Sequence, residues 1–278
     1  MATKKAAPKS VKTTAKKPTT SKKTSTTSTV KAVSASTKTG LFSGSPLRRA
    51  PFIGALVAEF IGTFLLAGAV IAGQGQPIII LFAIAGIVLL VGTLSGAHLN
   101  PAMTIGALVT KRISGLRAIG YVVAQFLGAL AALGLLTAFV NGAAPISAEA
   151  AAFGQTAPVL FEAATLPAGK EWFVFFAELI GATILGLAVA TALRIKGDRV
   201  ASALTVGFGI FVALLIAASA AAFVGGSAIL NPAVALSLVA LKFELWPLVV
   251  YILAPVIGGI FGFILQDILR AEHDGGND

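Results

Sequence analysis

The sequence predicts an all-α membrane protein of six transmembrane helices plus two re-entrant half-helices, arranged as an inverted repeat. Three observations carry that expectation. Apolar residues make up 56% of the 278-residue chain and charged residues only 12%, and the mean hydropathy is +0.92 in spite of a polar N-terminal tail; this balance belongs to a polytopic membrane protein rather than a soluble domain. Six apolar runs each reach the roughly 20 residues that a bilayer crossing needs. The tetrapeptide Leu99-Asn100-Pro101-Ala102 recurs as Leu230-Asn231-Pro232-Ala233, each copy closing a small-residue loop between long apolar stretches.

Residues 1–50 hold twelve Lys and Arg and no acid, among Thr, Ser, Ala and scattered Pro. A segment without apolar periodicity cannot build a core and is expected to be a disordered tail. It is not read as a secretory signal, because the apolar run behind it is too long and no polar region follows a cleavage site. The rest of the chain carries nine basic residues against eleven acidic ones, so the formal net charge of +10 belongs to the tail. Three uses stay open for it. It can be a solvated cytoplasmic segment obeying the positive-inside rule. It can be drawn to anionic lipid at about 1 kcal/mol per basic residue near the surface. It can contact nucleic acid by counterion release, although it lacks the aromatics and the fold that base readout requires.

Spans are expected at approximately 51–72, 77–95, 115–140, 171–194, 200–223 and 245–269, with 271–278 as a C-terminal tail. The segments at about 100–110 and 231–242 are too short to cross. Each opens at Asn-Pro-Ala, where proline suits the first helical position because its missing N–H is not needed there. Asn100 and Asn231 are therefore expected N-caps and Pro101 and Pro232 first residues of two half-helices. An unpaired amide at bilayer depth costs about 2–7 kcal/mol, so two such asparagines need partners or a task. Half-helices inside a membrane are tolerated where protein or a water-filled cavity surrounds them.

Charge sets the orientation. Lys111, Arg112 and Arg117 precede the third span, and Arg194, Lys196 and Arg199 separate the fourth from the fifth. Both loops are expected on the cytoplasmic side together with the tail, leaving the 141–170 connection, with Glu149 and Glu162, outside. Six spans then place both termini in the cytoplasm, and a multi-pass plasma (inner) membrane location is expected.

The chain also repeats internally. Ala58-Glu59-Phe60-Ile61-Gly62 matches Ala177-Glu178-Leu179-Ile180-Gly181, and Gln125-Phe126-Leu127-Gly128-Ala129 matches Pro255-Val256-Ile257-Gly258-Gly259. With repeats at approximately 51–140 and 171–270, three spans per half force the halves into inverted topology and a shared site to the midplane. Gly62, Gly181, Gly128 and Gly258 are expected to mark close helix crossings.

At these residues the chain resembles the aquaporin family, also called major intrinsic proteins, over about 51–270. Ser95-Gly96-Ala97-His98-Leu99-Asn100-Pro101-Ala102 is close to the family's first motif, and Ser227-Ala228-Ile229-Leu230-Asn231-Pro232-Ala233 is a looser version of the second. The resemblance implies that the half-helices meet end to end, with Asn100 and Asn231 directing amide N–H groups into one narrow pore. It implies that backbone carbonyls of Gly96, Ala97 and His98, and of Ser227, Ala228 and Ile229, line that pore, and that converging positive helix ends repel cations. It further implies that Glu59 and Glu178 accept N–H bonds from the re-entrant loops; the alternative for intramembrane carboxylates is a proton relay. His98 is read as a packed or hydrogen-bonded loop residue. Water and small neutral solutes, the lipid bilayer and a homotetramer are the implied partners.

The chain departs from the family at the filter. Where most members carry an arginine three residues after the second asparagine, this one has Val234. Spacing from the asparagines puts Ile80, Ser219 and Ala228 at the other filter positions. Such an apolar filter without fixed charge is expected to pass water slowly and less polar solutes more easily. Tyr251-Ile252 stands where water-type members usually carry two aromatics.

A passive channel is the leading functional expectation. A secondary transporter would need coupling carboxylates, for which only Glu59 and Glu178 qualify. A membrane-anchored tail that binds anionic lipid or DNA is the third. The absence of cysteine excludes disulfides and thiol chemistry, and His98 and His273 lie too far apart for a metal site. No nucleophile–base set or phosphate loop is present, so neither an enzyme nor a cofactor is expected.

Overall fold

The computed structural model describes residues 50–275. The tail expected at 1–50 falls, up to residue 49, outside the described residues, as do residues 276–278 of the C-terminal tail.

Among the described residues ten α-helices follow one another: α1 Ala50–Ala72, α2 Pro77–Ser95, α3 Pro101–Val109, α4 Gly115–Asn141, α5 Ala148–Ala152, α6 Glu171–Ala192, α7 Arg199–Ala222, α8 Pro232–Ser237, α9 Leu245–Leu248 and α10 Ala254–Gly275. Six stretches among the described residues are long and apolar enough to cross a membrane: α1, α2, α4, α6, α7 and the α9–α10 pair. All six coincide with the expected spans to within a few residues. The last is interrupted by a π turn at Val249–Leu253, which periodicity alone does not announce. α10 runs to Gly275, so the first residues of the expected C-terminal tail continue the helix.

Local chemistry explains the helix starts. Pro77, Pro101 and Pro232 each occupy a first turn, where no N–H is missed. Ser114 accepts from Arg117 N–H at 3.4 Å and Asp198 from Ala201 N–H at 2.8 Å, capping α4 and α7. Half-helices α3 and α8 end alike, with a non-glycine residue at positive φ (Lys111, 59°; Val239, 58°). Behind these turns the N–H groups of Arg112 and Ala240 return to the carbonyls of Ala107 and Ala235. α8 is only six residues long, well short of the expected 231–242, because this left-handed turn at Val239 stops it one turn after Val234.

The two halves use the same contacts. α1 packs on α4 as α6 packs on α10, and α1–α2 corresponds to α6–α7. At the first crossing a Cβ on Gly128 would collide with the Phe60 carbonyl; at the second, one on Gly258 would collide with the Leu179 carbonyl. These glycines allow close backbone approach, as expected. Each half-helix is seated on the other half: α3 against α10 and α8 against α4. The exchange interlocks the repeats around the midplane.

The bundle has a basic end and a far end. At the basic end, Arg112 after α3 donates to Ala190 O at 3.0 Å and to Gln266 Oε1 and Asp267 Oδ1 at 2.8 Å. Arg194 after α6 donates to the same two α10 side chains. At the far end, Ala163 N–H donates to Leu238 O and Ala164 N–H to Ser227 Oγ, each at 3.0 Å. Large apolar side chains such as Phe82, Leu90, Leu116, Ile119 and Phe208 are exposed on the outer helix faces, as suits contact with hydrocarbon.

Candidate functional site

The two Asn-Pro-Ala loops meet at the middle of the bundle. Asn100 Oδ1 accepts from Ala102 N–H at 2.8 Å, and Asn231 Oδ1 accepts from Ala233 N–H at 3.0 Å and Val234 N–H at 3.4 Å. Both asparagines thus cap their half-helices. Their Nδ2 groups cross over: Asn100 donates to Leu230 O at 2.8 Å and Asn231 to Leu99 O at 2.9 Å. Each amide has a second Nδ2 hydrogen that this bond does not use. The reciprocal pair ties one loop to the other and fixes both amide planes. No sequence signal identifies leucine carbonyls as the partners.

Those carbonyls are turned by strained backbone. Leu99 has φ 52° and Leu230 φ 63°, with Ala97 at 49° and Gly96 at 90°. Left-handed conformations are unfavourable for a residue such as leucine, and a buried carboxylate holds each in place. Glu59 accepts from His98 N–H at 2.9 Å and Leu99 N–H at 2.7 Å; Glu178 accepts from Ile229 N–H at 2.6 Å and Leu230 N–H at 2.9 Å. Both glutamates are completely buried and hold the loop backbone that no helix satisfies. Gly62 and Gly181, expected at helix crossings, face α2 and α7 respectively, and each also leaves space for a motif leucine. A Cβ on Gly62 would run into Leu99 Cδ2, and one on Gly181 would lie 2.5 Å from Leu230 Cδ2.

A cavity of about 240 Å³ opens beyond the asparagines on the far side. Ile80, Ala228, Ile229, Ser227, Asn231 and Val234 all line it, which brings most of the expected filter and second-loop residues together. Ser219 does not: it lies on the exposed side of α7, and Ala218 and Leu214 face the cavity in its place. Counting from an asparagine in another segment misses by one residue, which on a helix is a rotation of about 100°. Phe161, from the connection before α6, also lines the cavity, its ring 2.8 Å from where a Gly75 Cβ would stand. Nothing in the pattern of that connection marks it as a site residue.

Two cavities lie on the basic side. One of about 340 Å³ is lined by Val88, Gly92, Gly96, Val189, Ser202 and Val206. The other, about 410 Å³, is lined by Ser95, His98, Arg112, Arg117, Leu193 and Arg194. Leu193 borders both. α7 presents Ser202 and Val206 to the basic side and Ile210, Leu214 and Ala218 to the far side. These five stand four residues apart, so one helix face borders both cavities. Ala97 is buried and borders none of the three cavities. His98 is buried, with Nδ1 3.3 Å from Thr104 Oγ1 and its ring edge-on to Tyr121 at 5.4 Å.

Further polar groups join the first loop. Gln125 Nε2 donates to Glu59 Oε2 at 2.7 Å and to Thr104 Oγ1 at 2.9 Å. Tyr121 donates to Ser95 O at 2.7 Å, and Tyr251, in the π turn, donates to Ser227 O at 3.3 Å. Among the described residues no cluster of three metal-ligating side chains occurs.

Comparison with known proteins bears on the family and the fold. A family model described as major intrinsic protein matches residues 46–266. Aquaporin NIP3-1 from Zea mays is 27% identical over 239 residues, covering 80% of this chain and 72% of the maize protein. The solved aquaglyceroporin from Plasmodium falciparum has a similar fold, with a TM-score of 0.61 at 23% identity, covering 80% of this chain and 99% of that one.

Proposed function

Because this chain belongs to the major intrinsic protein family, it is a multi-pass membrane channel for water or small solutes and not an enzyme, and we propose that its lane favours small, weakly hydrated neutral solutes over fast water. The observation that carries this reading is the lining of the far-side cavity, in which Val234, Ile80, Leu214, Ala218, Ala228 and Phe161 present no charged group. An apolar constriction supplies few replacements for a lost hydration shell, so water wets it reluctantly while a less polar solute loses less on entry.

The asparagines supply the polar step at the midplane. Each has one Nδ2 hydrogen left over after the crossed bonds to Leu99 O and Leu230 O, and these are the donors for a passing oxygen. The N-termini of α3 and α8 converge at the same point, which opposes cations. Glu59 and Glu178 are engaged by loop N–H groups, which favours a structural role for both over a proton relay and removes the coupling groups a transporter would need.

The basic end is assigned to the cytoplasm by the positive-inside rule, with both termini there and the protein in the plasma (inner) membrane. A homotetramer with one lane per subunit is the assembly we infer, and the basic tail is a solvated cytoplasmic segment able to contact anionic lipid, with nucleic acid as the weaker alternative. Stopped-flow light scattering of proteoliposomes under water, glycerol, urea and ammonia gradients tests the solute assignment. The expected result is neutral-solute permeability well above protein-free vesicles with only modest water permeability. Fast water flux with no solute flux would overturn it.

A further inference from the structure

The geometry points to an anion site at the basic mouth of the lane, built for a phosphate group carrying two negative charges. The cavity of about 410 Å³ at that end lies within the roughly 300–1,000 Å³ typical of ligand sites. Three arginines, Arg112, Arg117 and Arg194, line it, with Ser95 and His98 and no acidic residue. The arginines' own counter-charge is Asp267, whose single Oδ1 takes both Arg112 and Arg194, and the buried Glu59 carboxylate lies behind His98, bonded to its backbone N–H. One carboxylate between two guanidiniums leaves one positive charge over, and Arg117 adds a second; its guanidinium lies 6.0 Å from the Tyr121 ring centre.

The arginines are held ready. Ala190 O, Gln266 Oε1 and Asp267 Oδ1 engage Arg112, whose guanidinium also lies 4.9 Å from the Phe263 ring centre. Gln266 and Asp267 engage Arg194 through Nε and Nη2. These bonds leave N–H donors on both groups, since each guanidinium has five. Ser95 Oγ accepts from Ala97 N–H at 3.0 Å, so its own hydrogen can be donated. Planar, pre-oriented guanidiniums suit a tetrahedral oxyanion in bidentate fashion, and a dianion would cancel the two excess charges. Leu193 borders both this cavity and the neighbouring part of the lane, so an occupant stands beside the path. It cannot follow the path through the uncharged far-side cavity, and therefore obstructs the mouth rather than permeating. Only this effect on flux rests on the channel reading; binding itself does not.

The test uses the full chain. In detergent, inorganic phosphate is titrated by calorimetry against a gluconate control at matched ionic strength. Saturable binding is expected, weakened about tenfold or more by Arg117→Gln and less by Arg117→Lys, with size-exclusion profiles confirming that the variants remain folded. Equal affinity in wild type and Arg117→Gln would place the binding on the tail and overturn the site, as would the absence of saturable binding by phosphate in any form. Proteoliposomes containing phosphatidic acid, compared with phosphatidylglycerol, distinguish a lipid headgroup from free phosphate as the source. In the same vesicles, phosphate on the basic side should lower solute flux in wild type and not in Arg117→Gln. Flux without phosphate tests the channel reading separately: protein that binds phosphate but never conducts loses that reading and keeps the site.

Discussion

The two Asn-Pro-Ala loops share one backbone solution and differ in what surrounds it. In both, a buried glutamate receives two consecutive loop N–H groups, a leucine at positive φ offers its carbonyl to the opposite asparagine, and a glycine three residues after the glutamate seats that leucine. Around the first loop stand Gln125, Thr104 and His98 in hydrogen-bond sequence from Glu59. Around the second, the position matching Gln125 is Pro255, and among the described residues Glu178 has only the backbone bonds to Ile229 and Leu230. Thr63 Oγ1 and Gln125 Oε1, the buried side-chain atoms without a partner among the described residues, both belong to the first half. The geometry of an inverted repeat is therefore set by the carboxylate, the leucine and the glycine. The extra polar groups of the first half are additions that the fold tolerates and the second half does without.

Breaking the carboxylates separates the two loops most strongly. Glu178→Gln replaces an acceptor oxygen with an NH2 that faces a loop N–H, with no side-chain acceptor nearby. Each buried donor left without a partner costs about 1–3 kcal/mol, so thermal stability and yield of assembled protein should fall sharply. Glu59→Gln should cost less, because Gln125 can turn its unpaired Oε1 toward the new amide. Adding Gln125→Leu should remove that rescue. Unfolding curves in detergent check the order, and equal losses in the two single variants would show that the first-half network gives no support.

The glycine seats come next. Gly181→Ala should destabilise more than Gly62→Ala, at about 1–3 kcal/mol for overpacking. At position 181 the new methyl meets both Leu230 and, at 2.7 Å, the Ala217 methyl on α7, whereas around position 62 the other neighbours are side-chain methyls 3.3 Å away. Leu230→Ala in the Gly181→Ala background should recover part of the loss, and its failure to do so in thermal melts would remove the seating argument.

The lanes on either side of the asparagines can be compared by Val234→Arg. Val234 is buried at the start of α8 and lines the far-side cavity, so a guanidinium there should narrow that cavity while adding donors. Glycerol permeability should fall severalfold more than water permeability in correctly assembled protein. A glycerol-to-water ratio equal to or above that of the parent would show that Val234 does not govern selectivity.

The smallest effect is expected at Ser219. The chain has no cysteine, so introduced thiols report alone. Mercurial treatment should block Ala228→Cys and Ala218→Cys channels and leave Ser219→Cys flux nearly unchanged, since Ser219 lies on the exposed side of α7. Strong block at Ser219 would return it to the lane.

Much of this molecule was legible before any coordinates. Six apolar runs of bilayer length had to become spanning helices, because hydrocarbon leaves the backbone no other way to satisfy its N–H and C=O groups. Asn-Pro had to open a helix, because a proline at the first helical position lacks only an N–H that needs no partner there, while the asparagine side chain accepts from the N–H of the residue after it. Charged loops sorted the ends, and Glu59 and Glu178 announced themselves as carboxylates that need donors. These features follow from local chemistry and from the solvent. What only the tertiary structure decided depends on how each helix is rotated about its axis and on what arrives from the other half. It set Ala218 rather than Ser219 against the cavity, brought Phe161 over Gly75, ended α8 at Ser237, and crossed each asparagine to the opposite leucine carbonyl. Spacing along a chain fixes a rotation only to within about 100° per residue; the neighbouring helices, through side chains such as Leu99 and Leu230 in their glycine seats, fix the remainder.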